Sequence, residues 1–203
     1  MHPEVQASID KARSFDISED RKQTLQSLID YCQAQLNLDK TVSLNFICTH
    51  NSRRSQFSQV WAQVAAFANG IQLSSYSGGI EVTACNPRTI SSLERLGFLV
   101  MTEGGENPHY QLSFSKNASP ITTFSKLYDH PVNPKKDFAA IMTCSDADEN
   151  CPFIPGASAR IPLRYEDPKA FDDTPQETTM YDERSLQIAS ELFYVFSNVK
   201  LKG

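Results

Sequence analysis

Cys48-Thr49-His50-Asn51-Ser52-Arg53-Arg54-Ser55 is the stretch on which the reading of this chain turns. An apolar-rich run, Val42 to Ile47, stands before it and reads as a buried strand. After it Phe57, Val60, Trp61, Val64 and Ala65 recur at helical spacing. Cys48 therefore ends a strand, and a tight loop leads into a helix N-terminus. That geometry aims several backbone N–H groups into one concavity, where an anion can sit. The same field favours a thiolate over a thiol at Cys48. Arg54 adds a planar, two-pronged donor for an oxyanion. Thr49, His50, Asn51, Ser52, Arg53 and Ser55 complete the candidate oxyanion-binding loop. A thiolate at the base and an arginine at the rim suit in-line attack on a tetrahedral oxyanion.

The surrounding composition narrows the class. The chain has 203 residues, 40% of them hydrophobic, which fits one domain with a substantial core and an appendage. Net charge is −5 and no long basic run occurs, so nucleic acid is not an expected partner. No apolar stretch approaches the roughly 20 residues of a membrane span. The first residues, Met1-His2-Pro3-Glu4-Val5, lack a signal-peptide pattern. Cys32, Cys48, Cys85, Cys144 and Cys151 are an odd count, which fits a reducing cytoplasm with reactive thiols better than a disulfide scaffold. A cytoplasmic protein is expected.

Working outward, residues 1 to about 40 read as helical. Ser18 is the expected N-cap, and Leu25, Leu28, Ile29, Cys32 and Leu36 form one apolar stripe. That stripe needs a partner, either the main domain or a second copy of the chain in a homodimer. From Val42 strand and helix alternate: Val42 to Ile47, a helix from Ser55 to Ala68 stopped by Asn69-Gly70, a strand Leu73 to Tyr76 and a turn at Ser77-Gly78-Gly79. Asn86-Pro87 opens another helix that stops at Gly97. Phe98 to Met101 and Tyr110 to Phe114 read as two strands, and Phe124 to Tyr128 as a short helix. Phe138 to Thr143 is a further buried strand, and a short one lies near Ile161. A final amphipathic helix runs from about Pro175 to Val199. This alternation predicts an α/β fold with an open parallel sheet and helices on both faces. The Cys48 loop then lies beyond the carboxyl end of the first strand, where such sheets bind ligands.

The order Cys-x5-Arg-Ser between strand and helix, with Thr49, Asn51, Ser55 and Gln56, resembles the low-molecular-weight protein tyrosine phosphatase superfamily. That superfamily includes the thioredoxin-coupled arsenate reductases. Asn86-Pro87-Arg88 and a helix ending in Leu96-Gly97 recur there too. The run Cys144-Ser145-Asp146-Ala147-Asp148-Glu149-Asn150-Cys151-Pro152 resembles the redox segment of the reductases. The resemblance covers about residues 42–100 and 138–200. It implies a phosphatase-like domain over 41–203, with an insert at about 101–136 and a helical extension over 1–40.

The resemblance implies arsenate reduction by a three-cysteine relay. Cys48 is the nucleophile, Arg54 holds the oxyanion, and Asp167, followed by Pro168, is the acid; a turn aspartate is the other reading of Asp167. Cys144 and Cys151 are the redox pair, recycled by thioredoxin. The alternative is a tyrosine or small-ester phosphatase working through a phosphocysteine, which needs neither Cys144 nor Cys151. A non-catalytic oxyanion or redox sensor is a third reading, opposed by the intact Cys48, Arg54 and Asp167 set. Zinc binding fits poorly, because Cys-x6-Cys lacks a second ligand pair. No metal or cofactor is expected. Were residues 144–151 helical, the two cysteines would stand about 10.5 Å apart along the axis. A disulfide tolerates roughly 4.4–6.8 Å between Cα atoms, so the turn must unravel to close one. Asp146, Asp148 and Asn150 leave it marginal.

Three positions depart from the reductase pattern. Arg53 stands where a second loop cysteine is common, His50 where the reductases have glycine, and Gln59 where the potassium-binding reductases have glutamate. Arg53 either strengthens anion binding or is solvated. His50 either crowds the loop or is an ordinary loop residue. Gln59 argues against a bound cation.

Overall fold

The computed structural model describes residues 1–150 and 153–201. Helix α1 (Pro3–Arg13) begins on proline, whose missing N–H is one a helix start leaves unpaired anyway. Helix α2 (Glu19–Asn37) is capped by Ser18, whose hydroxyl accepts from the Arg21 N–H, and Glu19 and Asp20 complement the helix dipole. Strand β1 (Val42–Cys48) is buried at every position but Ser43. Helix α3 (Arg54–Ala68) follows the Cys48 loop and stops at Asn69, with Gly70 in the left-handed region at φ +68°.

Strand β2 (Leu73–Gly79) continues through Ser77-Gly78-Gly79, where the sequence predicted a turn. These glycines serve close approach instead. A Cβ on Gly78 would stand 2.3 Å from the Tyr128 Cα, and one on Gly79 2.8 Å from the Thr49 carbonyl oxygen. Helix α4 (Pro87–Arg95) is capped by Asn86, which accepts from the Arg88 N–H.

Strands β3 (Leu99–Thr102), β4 (Tyr110–Ser113) and β5 (Ile121–Thr123) form a separate antiparallel sheet in that order. The segment after β5 is not the short helix predicted over Phe124–Tyr128. Leu127 bridges Gly79 in parallel, the Gly79 N–H donates to the Lys126 carbonyl at 2.8 Å, and the Tyr128 N–H donates to the Gly79 carbonyl at 2.9 Å. The outer edge of β2 offers backbone partners that outcompete a lone helical turn. Strand β6 (Phe138–Met142) is buried throughout. Helix α5 (Ser145–Asn150), strand β7 (Ala157–Pro162), a 3-10 turn (Pro168–Phe171) and helix α6 (Glu177–Ser197) complete the chain.

The main sheet has the order β2-β1-β6-β7, all parallel. Side chains alternate between its faces. Leu44, Phe46, Ala139, Ile141 and Ile161 join α1, α2, α3 and α6 in one core. Ile47, Ala140 and Met142 face the other way and meet Ala147 of α5. Helices thus stand on both faces, with the larger mass on one.

The apolar stripe of α2 meets this chain's own core: Leu25, Leu28 and Ile29 share it with Leu192 and Phe196 of α6. Full burial of such a side chain contributes about 1.5–3 kcal/mol, so residues 1–40 are integral to the packing. The stripe therefore supplies no surface for a second copy. Arg21 reinforces the dock with a two-pronged pair to buried Glu191, at 2.9 and 2.7 Å. Among the described residues no helix is long and apolar enough to cross a membrane.

β2 and β6 flank β1 on opposite sides, so the chain leaves the carboxyl ends of β1 and β6 in diverging directions. The crevice between them is where the Cys48 loop sits.

Candidate active site

The loop is built around Asn51. Its backbone is left-handed, φ +47°, a conformation asparagine tolerates better than most residues. Its side chain is fully buried and bonded at both ends. Nδ2 donates to the Ser55 Oγ at 2.8 Å, and Oδ1 accepts from the Lys126 N–H at 3.0 Å. The Ser55 Oγ stands 3.0 Å from the Cys48 Sγ, where its proton can serve a thiolate. Gln56 donates to the carbonyls of Asn51 and Phe124, at 2.8 and 2.9 Å. Ser52 donates to the Ala84 carbonyl, and its own carbonyl accepts from the Asn86 N–H. Ser125 donates to the His50 carbonyl at 2.9 Å.

Arg54 closes the rim. Nη1 donates to the Tyr165 carbonyl at 3.1 Å, and Nη2 pairs with Asp167 Oδ2 at 2.7 Å. Its Nε is buried with no hydrogen-bond partner among the described residues. Asp167 also accepts from the Lys169 N–H, capping the 3-10 turn, and its carboxylate is 31% exposed. Cys48, His50, Ser52, Arg53, Arg54 and Asp167 enclose a cavity of about 10 Å3. That is roughly the space of one water, and the Arg54–Asp167 pair occupies the guanidinium edge an oxyanion would use.

Arg53 lines the cavity, but its guanidinium neither faces solvent nor stands free for an anion. Nε donates to the Tyr181 hydroxyl at 2.7 Å and Nη2 to Asp172 at 3.3 Å. Tyr181 donates in turn to Asp172 at 2.7 Å, and burial followed by that carboxylate pushes its phenol above the ordinary range. The brace ties the loop to the first half of α6. His50 turns outward, its Nε2 3.3 Å from the exposed Glu81 carboxylate, so the loop is not crowded. Gln59 accepts from the Ser77 hydroxyl at 2.6 Å and donates to the Thr122 carbonyl at 3.1 Å.

The second thiol lies beside the first loop. Cys144 lies two residues past the end of β6, and the intervening Thr143 N–H donates to the Ile47 carbonyl, setting Cys144 next to the carboxyl end of β1. Cys144 is 1% exposed, and its Sγ stands 3.5 Å from the Thr49 Oγ1. The Ala147 N–H donates to that sulfur at 3.3 Å, so the thiol caps α5. Thr49 donates to Asp146 at 2.7 Å. Asp148 is gripped by Arg160, at 2.5 Å, and by Arg164, whose Nε stands 2.7 Å away. A helical turn, α5, does follow Cys144, over Ser145–Asn150. Cys151 and Pro152 lie outside the described residues. Cys32 and Cys85 are packed in the interior, where burial pushes both thiols up to about 12, leaving them protonated at neutral pH.

The structure thus gathers Cys48, Thr49, Ser52, Arg54, Ser55, Cys144 and Asp167 at one crevice, with Arg53 lining it while tied to Tyr181 and Asp172 and 3.9 Å from Asp167, and His50 at its edge with its ring toward Glu81. Sequence reasoning missed Ser125 and Lys126, which brace the loop from a segment read as helix, and Asp172 and Tyr181, which hold Arg53. Nothing in local spacing marks these four.

No protein-family model matches the chain. Among curated proteins it is similar to arsenate reductase 2 of Staphylococcus epidermidis, 29% identical over 126 residues, spanning 62% of this chain and 78% of the relative. The arsenate reductase of Staphylococcus aureus (strain Newman) is 30% identical over 127 residues, again 62% of this chain and 78% of the relative. Among solved structures, an arsenate reductase in its phosphate-binding state shares the fold with TM-score 0.52 and 16% identity, over 79% of this chain and 100% of that one. The low-molecular-weight phosphotyrosine phosphatase of Vibrio cholerae O395 matches with TM-score 0.52 and 10% identity, over 77% and 94%.

Proposed function

The chain belongs to the superfamily of arsenate reductases and low-molecular-weight phosphotyrosine phosphatases, and from that premise we propose that it reduces arsenate by a three-thiol relay. The observation that carries the reading is the second thiol: the Cys144 sulfur lies 3.5 Å from the hydroxyl of Thr49, the residue next to Cys48. An ester-cleaving enzyme needs no thiol there.

In the proposed sequence, arsenate displaces Asp167 from Arg54 and takes the guanidinium fork, supplying an acceptor to the orphaned Nε. The Cys48 thiolate, with the Ser55 hydroxyl on its sulfur, attacks arsenic; a sulfur–arsenic bond forms and an oxygen leaves as water, protonated by Asp167. Cys144 then attacks the Cys48 sulfur. The sulfur–arsenic bond breaks, its electron pair stays on arsenic, and arsenite leaves with Cys48–Cys144 as a disulfide. Cys151 attacks Cys144, freeing the Cys48 thiolate. Unwinding of α5 lets Cys144 and Cys151 bond, and a dithiol reductant of the thioredoxin type removes the pair of electrons.

The test couples arsenate to thioredoxin, thioredoxin reductase and NADPH, and runs p-nitrophenyl phosphate hydrolysis beside it. Arsenate-dependent NADPH oxidation is expected from the wild type and none from Cys144→Ser. Cys144→Ser that turns arsenate over as the wild type does would remove the relay. Ester hydrolysis without arsenate turnover would leave the phosphatase.

A further inference from the structure

A second cavity lies away from the Cys48 crevice and shares no lining residue with it. Its volume is about 810 Å3, within the range of small-molecule sites. It runs between α3, the outer edge of β2 and the chain from 114 to 132. Among the described residues that line it there is no Asp or Glu. Phe67, Tyr76, Phe114 and Ile121 supply apolar wall, and Lys126 stands on it as a buried cation.

Lys126 is only 3% exposed. An ammonium has three donors. Two make long contacts, 3.3 Å each, to the Ser77 hydroxyl and the Phe124 carbonyl, and the charge stands 4.4 Å from the centre of the Phe124 ring. Among the described residues no carboxylate pairs with it. A buried ammonium without counter-charge is costly, and burial accordingly draws the Lys126 pKa down to about 8. Phe124 is itself flanked by two imidazoles that line the cavity. His109 stacks on it at 3.9 Å, and His130 meets it edge-on at 5.4 Å.

We propose that this cavity binds a small organic anion, one compact oxyanion head seated on Lys126 with an apolar or aromatic body along Phe114, Tyr76 and Ile121. The head supplies the missing counter-charge and accepts the free ammonium proton. The body replaces water against the apolar wall. The site also adjoins the catalytic loop, because the Lys126 N–H holds the Asn51 side chain. It does not depend on which oxyanion Cys48 attacks.

The test is a fluorescence titration of the full chain with 8-anilinonaphthalene-1-sulfonate, a single anionic head on an aromatic body. N-phenyl-1-naphthylamine serves as the uncharged counterpart, and near-UV circular dichroism confirms the native fold in every sample. Saturable binding of the anionic probe is expected. Lys126→Met and, at the half-exposed rim, Val132→Asp should each weaken it about tenfold or more without weakening the neutral probe. Val132→Asp keeps the question open to test should Lys126→Met fail to fold. Absence of saturable binding to the native protein overturns the proposal. So does binding of the anionic probe that no folded variant weakens.

Discussion

The Cys48 loop and the α5 segment are both short turns that follow a parallel strand and present a thiol, yet they are held by different physics. The interior of the loop is held by buried, neutral hydrogen bonds, and the charged contacts of Arg53 and Arg54 brace only its rim. Asn51, Ser55 and Gln56 are fully buried, and each bonds to groups that have no access to water. The α5 segment is six residues long and buries Ala147 alone. Its fasteners are charged: Thr49 to Asp146, and Asp148 to Arg160 and to half-exposed Arg164. Opening the loop would strand buried donors and acceptors, which is expensive. Opening α5 gives up one buried apolar contact, so the hold on it is the grip of Arg160 and Arg164 on the Asp148 carboxylate, which is 6% exposed. The contrast suits a rigid cradle for the oxyanion and a movable carrier for the second thiol.

The contrast can be broken or sharpened by mutation. Cys48→Ser keeps the shape of the cradle and removes its nucleophile, so arsenate turnover should fall at least about a thousandfold. The thermal melt should hardly move. Asn51→Ala attacks the loop's hydrogen bonds and its left-handed backbone at once. Urea denaturation should record a loss of about 3 kcal/mol, with Asn51→Gly losing less because glycine accepts the positive φ. A loss near zero for Asn51→Ala would mean the loop is not held as described. Asp148→Asn removes the carboxylate that both arginines grip, leaving Arg160 on the Asp148 carbonyl, for a global cost of about 2 kcal/mol. Amide exchange in α5 should quicken, and Cys144–Cys151 should form several-fold faster on oxidation, roughly in proportion to the weakened hold. Equal exchange rates in α5 and α3 would erase the distinction between the two regions. Arg164→Ala removes only the more exposed partner and should cost within about 0.5 kcal/mol.

How much of this was legible beforehand follows from the distance over which each signal acts. Ser18 and Asn86 cap their helices as their neighbours imply, because capping is decided within three residues. The Cys48 loop was readable for the same reason: strand end, turn and helix start occupy eight residues. The extended course of Phe124–Tyr128 was not readable. Its partner, Gly79, lies far back in the chain, and a short aromatic-containing run carries no periodic signal strong enough to exclude a helix. The double glycine suggested a turn because glycine permits one, whereas here it admits the Tyr128 backbone.

Residue order by itself determined the strand–loop–helix unit, the helix caps, the parallel alternation and the identity of the thiols, since each depends on neighbours a few positions away. Only the tertiary structure decided what the charged groups do. Arg53 meets Asp172 and Tyr181, 119 and 128 residues distant, and becomes a brace, while Arg54 one position on faces the crevice. Lys126, unremarkable in the sequence, ends in a cavity with no carboxylate beside it among the described residues. A guanidinium or an ammonium takes its role from the carboxylates and water within a few ångströms, and folding alone assigns those.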